Sequence, residues 1–160
     1  MKSRKKIVSI VILIVVITLV IGCNDETGKV YSDENEISAK YDTFSLDEDS
    51  ETIEQGKYKG TFKLSGMGTI WKYQSDDDIN LEVPYKFSVQ KGKAKLVLIS
   101  PDDTIVNLIE ITNSSSEKKE KSLTLPIKKG LNRMKVVGHD KASIDMEIQI
   151  DKGSFKKIGF

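Results

Sequence analysis

"INLEVPYKFSVQ", residues 79–90, decides the fold class. Leu81, Val83, Tyr85, Phe87 and Val89 occupy every second position, with Glu82, Lys86, Ser88 and Gln90 between them. A period of two places the apolar set on one face of an extended chain, which is the pattern of a half-buried strand in an antiparallel sheet. "SIDMEIQID" repeats it with Ile144, Met146, Ile148 and Ile150, and "SLTLPIK" with Leu123, Leu125 and Ile127. "AKLVLIS" is apolar on both faces and reads as a more central strand, followed by "IVNLIEIT".

Turn residues separate these runs. Pro101-Asp102-Asp103 suits a tight turn, Lys129-Gly130-Leu131-Asn132 another, and Gly138-His139-Asp140-Lys141 leads into the last strand. Asn113 to Lys121 is polar and reads as an exposed loop. About eight strands and no amphipathic helix predict an all-β fold, a single antiparallel β-sandwich of immunoglobulin-like or jelly-roll topology. A chain of this size buries a core without disulfides.

Upstream the composition changes. Asn24 to Gly56 carries 11 acidic residues against Lys29 and Lys40, a net of −9, whereas Lys57 to Phe160 has a net of +6. The acidic part has few large apolar residues and no sustained period, so it is expected to be a disordered spacer. The boundaries expected are a signal peptide over 1–22, an acidic flexible tether over 23–55 and a β domain over 56–160.

The first 23 residues set the compartment. Lys2, Arg4, Lys5 and Lys6 precede an apolar run from Ile7 to Ile21 that is short for a membrane span, the pattern of a secretory signal. Val20-Ile21-Gly22-Cys23 resembles the lipobox of bacterial lipoproteins. The resemblance implies that a diacylglyceryl group is added to the Cys23 thiol, that a peptidase cuts between Gly22 and Cys23, and that palmitate-type acyl chains hold the protein on the membrane. A thiolate is the soft nucleophile a thioether needs, and two or more chains are needed to hold a protein, at about 0.8 kcal/mol per buried methylene. The alternative is an uncleaved signal anchor. Cys23 is the only cysteine, so the rest of the chain has neither a disulfide nor a Cys-based site. The Lys and Ile bias matches low-GC Gram-positive bacteria, which would place the domain on the extracytoplasmic face of the cell membrane, toward the wall.

The stretch "LPIKKGLNRMKVVG" resembles a strand-turn-strand phrase of β-sandwich modules in bacterial surface proteins, carbohydrate-binding modules among them. Its Gly130 and Asn132 also suit a turn that needs positive φ. "TIWKYQ" is the best binding candidate, because Trp71 and Tyr73 share one face of a strand. Exposed, they would form a platform for a sugar ring; buried, they are core, which the need to pack one face inward favours.

Other features point to less. Asp76-Asp77-Asp78 and Asp102-Asp103 lack calcium-loop spacing and read as solvated turns, with a loop-end calcium site as the alternative, so no metal and no cofactor are expected. The lysines at 91, 93, 95, 118, 119, 121, 128 and 129 serve solubility, attract anionic wall polymers, or fold the acidic tether back onto the domain. His139 beside Asp140 is a weak catalytic cue without a nucleophile motif, and paired carboxylates of a hydrolase have no visible spacing. The expectation is a non-enzyme. Its partners would be cell-wall polysaccharide or, alternatively, an envelope protein docked on a sheet face or edge. Nucleic acid is excluded by an exported chain with one domain arginine and no reading motif.

Overall fold

The computed structural model describes residues 29–112 and 119–160. The expected signal peptide, the cut between Gly22 and Cys23 and the lipidated thiol lie outside the described residues. So do residues 113–118 of the expected loop, while Lys121 opens a strand.

The described chain is almost wholly antiparallel β-structure: β1 (Thr43–Glu54), β2 (Lys57–Ser75), β3 (Ile79–Ile99), β4 (Ile105–Ile111), β5 (Lys121–Ile127), β6 (Gly130–Gln149) and β7 (Ser154–Phe155), with one short helix, α1 (Glu34–Ser38). The sheet order is β1-β2-β6-β3-β4, with β5 also on β3 and β7 also on β2. β6 thus separates β2 from β3, although those two follow each other in the chain.

Several runs expected as separate strands are continuous. "INLEVPYKFSVQ" and "AKLVLIS" are the two ends of β3, and "RMKVVG" and "SIDMEIQID" are the two ends of β6. Between the halves the chain bends. Register shifts fall at Leu64/Gly66 in β2 and between Val89 and Lys93 in β3, and Asp140 and Lys141 of β6 have positive φ. Bulges of this kind kink a strand without ending its pairing. The three central strands therefore turn one shared corner. The two halves of the sheet close over one core, which holds Tyr58, Phe62, Phe87, Ile144 and Met146 from one half and Ile70, Leu96, Leu98, Met134 and Val136 from the other.

Gly66 sits at that corner opposite Gly138. Its φ is +99, and a Cβ there would lie 2.1 Å from the Thr43 carbonyl oxygen. Only glycine lets β1 approach β2 so closely at this point.

The expected tether boundary near Gln55 is corrected. Gln55 and Gly56 are a two-residue hairpin turn, both at positive φ (48 and 74), joining β1 to β2 in the register Glu54↔Lys57. β1 is a strand despite its charge because two of its residues face inward and tie it to the core. Leu46 packs on the core. Glu51, also buried, accepts hydrogen bonds at Oε1 from the Tyr58 hydroxyl and from Ile158 N. Ahead of β1, residues 29–42 form a strap across the outer face of one half of the sheet. Val30, Tyr31 and Ile37 are buried there against Met67, Val97, Ile99 and Val137. The described residues packed on the sheet thus begin 27 residues ahead of the expected domain start at 56.

Candidate functional site

Trp71 and Tyr73 share a face, as the strand geometry requires, but it is the inner one. Trp71 is 0% exposed, and its Nε1 donates to the Lys152 carbonyl at 2.9 Å. Gly153 lies against the indole, and Phe155 of β7 pairs with Trp71. Tyr73 packs half-buried beside it, ring centroids 5.8 Å apart at 41°. The exposed sugar platform is therefore corrected to core. A bulge between Thr69 and Trp71 lets both Ile70 and Trp71 join the interior.

The described residues instead bring three turns together at one end of the sheet, those following β2, β3 and β5. The β3–β4 turn is closed by Ser100 N donating to the Thr104 carbonyl (2.9 Å), with Asp102 Oδ1 accepting from Thr104 N (3.2 Å). The β5–β6 turn is held by Asn132, which is 0% exposed. Its Oδ1 accepts from Lys128 N at 3.0 Å, and its Nδ2 donates to the carbonyls of Lys128 (2.6 Å) and Gly130 (3.0 Å). Gly130 supplies the positive φ, +114, and the Pro101 ring packs onto it. Asn132 therefore works through its side chain and not through its backbone. Asp78 ties in the third turn, accepting from Lys128 Nζ (2.9 Å) and Lys129 N (2.7 Å).

These bonds account for Asp78 and Asp102 of the acidic clusters. The Lys128 ammonium and the Lys129 amide hold the Asp78 carboxyl below the usual carboxylate range, and the Thr104 amide does the same for Asp102. Asp103, at positive φ, accepts from Arg133 Nη2 at 2.8 Å. Among the described residues no group of three or more His, Cys, Asp or Glu is arranged to hold a metal ion.

Between the β3–β4 and β5–β6 turns lies an open cleft of about 310 Å³. Pro101, Val106 and Pro126 give it apolar walls, and Ser100, Asp102, Thr104, Lys128 and Lys129 line it with polar groups. Concave sites with apolar walls and a few placed polar groups are the usual form of small-ligand sites. The sequence offered part of this as the Lys-Gly-x-Asn turn and the Pro-Asp-Asp turn, but not their juxtaposition.

Four of the described lysines fall into two sets. Lys128 and Lys129 edge the cleft, whereas Lys93 and Lys95 lie under the strap with their Nζ atoms 4.5 and 4.9 Å from the Tyr31 ring centroid. His139 belongs to the second set, edge-on to Tyr31 with centroids 6.0 Å apart.

No family model matches the chain, and no characterised protein matches its sequence. Among solved structures it is similar in chain path to variants of a family 29 carbohydrate-binding module. One has a TM-score of 0.42 at 11% identity, over 69% of this chain and 79% of that one. Another has a TM-score of 0.40 at 13% identity, over 69% and 73%. A third, complexed with mannohexaose, has a TM-score of 0.40 at 10% identity, over 69% and 78%.

Proposed function

We propose that the chain is a lipid-anchored, extracytoplasmic binding protein that takes a cell-wall glycan, without chemistry, in the cleft between the β3–β4 and β5–β6 turns. The cleft carries this reading. Pro101, Pro126 and Val106 offer apolar surface to the C–H face of a sugar ring, while Asp102, Thr104 and Lys129 offer hydrogen-bonding groups to its hydroxyls. The turns around it are cross-braced by Asp78, Asn132 and Arg133, so little ordering is needed when a ligand arrives. The anchor rests on the lipobox. Cys23 lies six residues before Lys29, a span of at most about 20 Å even when extended, so an anchored domain would stand close to the bilayer.

Titration of soluble wall glycan fragments into the detergent-solubilised protein tests the cleft. Lys129→Ala, which keeps the backbone bond to Asp78, is expected to weaken binding by about tenfold, equivalent to about 1.4 kcal/mol. Unchanged affinity in that variant removes the cleft from consideration. Cys23→Ala tests the anchor separately: it should abolish lipid labelling and release the protein from membranes, and a variant that stays wholly membrane-bound would favour the uncleaved anchor.

A second reading has its own observation. β1 is an edge strand carrying exposed Phe44 and Ile53, a surface on which another envelope protein could add a strand. Glycan-independent capture of the protein that is lost in a Phe44→Glu variant would favour that reading.

A further inference from the structure

The outer face under the strap carries buried cations beside the apolar Met67, Val97, Ile99 and Val137. Arg133 and Lys135 alternate along β6 with the inward Met134 and Val136, and Lys95 lies on the adjacent strand β3. All three are buried, Lys135 completely. Arg133 donates to the carbonyls of Ala39 and Ser38, each at 2.8 Å. Lys135 Nζ donates to the carbonyls of Ala39 (2.8 Å) and Tyr41 (2.7 Å). Asp42 completes the seat. Its carboxylate accepts from Thr69 Oγ1 at 2.7 Å and lies 3.5 Å from Lys135 Nζ and 3.3 Å from Lys156 Nζ. Burial lowers the affinity of Lys135 for its proton, and the nearby Asp42 opposes that effect.

This seat is costly for a part that never moves. Replacing buried ions with apolar side chains often leaves a fold as stable or more so, because the desolvation penalty disappears. A face that meets water part of the time, by contrast, gains from carrying charge. The strap is also weakly held by apolar contact: α1 has five residues, and within 29–42 only Val30, Tyr31 and Ile37 are buried apolar anchors. What the face recognises is mostly generic, three main-chain carbonyls (Ser38, Ala39 and Tyr41) together with carboxylates at Asp42 and at Glu34 near Lys95.

We propose that residues 29–42 are an exchangeable occupant of a polypeptide-binding face, and that when the strap lifts, the face formed by Arg133, Lys135, Lys95 and Lys156 takes an acidic extended segment of a partner protein. This surface meets the cleft's turns only through Arg133, which also bonds Asp103, and it does not depend on the glycan reading. The acceptors at Ser38, Ala39 and Tyr41 are neutral carbonyls with one carboxylate close by, which favours a peptide over a wall polyphosphate, whose repeats all carry charge.

Two measurements on the detergent-solubilised full-length protein test it. Amide hydrogen exchange of the wild type should show residues 30–42 exchanging at least about 100-fold faster than the buried amides of β2 and β6. Equal protection would mean that the strap opens only when the whole domain unfolds, and the proposal would fall. The second measurement is fluorescence anisotropy with a labelled oligo-glutamate peptide. Ile37→Ser, which loosens the strap, should raise affinity at least about tenfold over wild type, and adding Lys135→Met should abolish the gain. A folded Ile37→Ser variant that binds the peptide no better overturns the proposal, as does one that binds polyphosphate and ignores the peptide. Should Ile37→Ser fail to fold, the wild-type exchange pattern decides.

Discussion

Trp71→Ala is expected to lower the unfolding free energy by about 3–5 kcal/mol, the usual range for truncating a fully buried large aromatic. The indole fills space among core residues from both halves of the sheet, and Gly153 and Phe155 close over it. Its loss leaves a cavity that backbone on two sides resists filling, and it strands the Lys152 carbonyl that Nε1 now satisfies. Urea unfolding followed by far-ultraviolet circular dichroism measures the loss. In the wild type the same residue, the only tryptophan, should emit at short wavelength and keep that emission when wall glycan is added. A red-shifted band that moves on adding glycan would return Trp71 to the binding surface and displace the cleft.

Gly66→Ala should cost about 3 kcal/mol or more, although it adds one methyl group. Left-handed backbone costs an L-residue roughly 1–2 kcal/mol, and the new Cβ would also meet the Thr43 carbonyl oxygen at 2.1 Å. That oxygen is backbone in a paired strand (Thr43↔Met67) and cannot swing aside. Relief requires β1 to move off β2, which loosens the edge where Glu51 and Tyr58 meet. A thermal midpoint lowered by something on the order of 10 °C is the expected reading. A shift of only a degree or two would show that the corner is more pliable than its geometry implies.

The strands were legible because their signal is local. Alternation in "INLEVPYKFSVQ" and "SIDMEIQID" follows from one buried face, and both segments lie in strands, the second as far as Gln149. The corner was not, since Gly92 and the Gly138–Lys141 stretch carry the same residues whether the chain reverses or merely kinks. Residues 29–54 were misread for a different reason. Their acidic composition signals disorder only while their counter-charges are unknown, and those charges lie far along the chain: Arg133 and Lys135 bond to Ala39 across 94 and 96 positions. A sharper signal was present in "RMKVVG", where Arg133 and Lys135 form a basic stripe of period two on a strand whose other face is apolar. Trp71 and Tyr73 were placed on a common face correctly. Which face it was depended on β7 and Lys152, beyond the reach of any short window. The cleft was half visible, as two turn motifs whose meeting depends on how the strands are ordered.

That ordering has a consequence for how the chain is made. β2 and β3 are consecutive, but the strand that joins them, β6, spans residues 130–149. Until β6 arrives, the β1–β2 hairpin and the β3–β4 hairpin are two fragments with bare edges and no shared interior. Sheets completed by such distant pairing assemble slowly, since long loops must close before any contact repays them. Were the chain exported as proposed, this order would be useful: the two hairpins gain no shared core until residues 130–149 have been made.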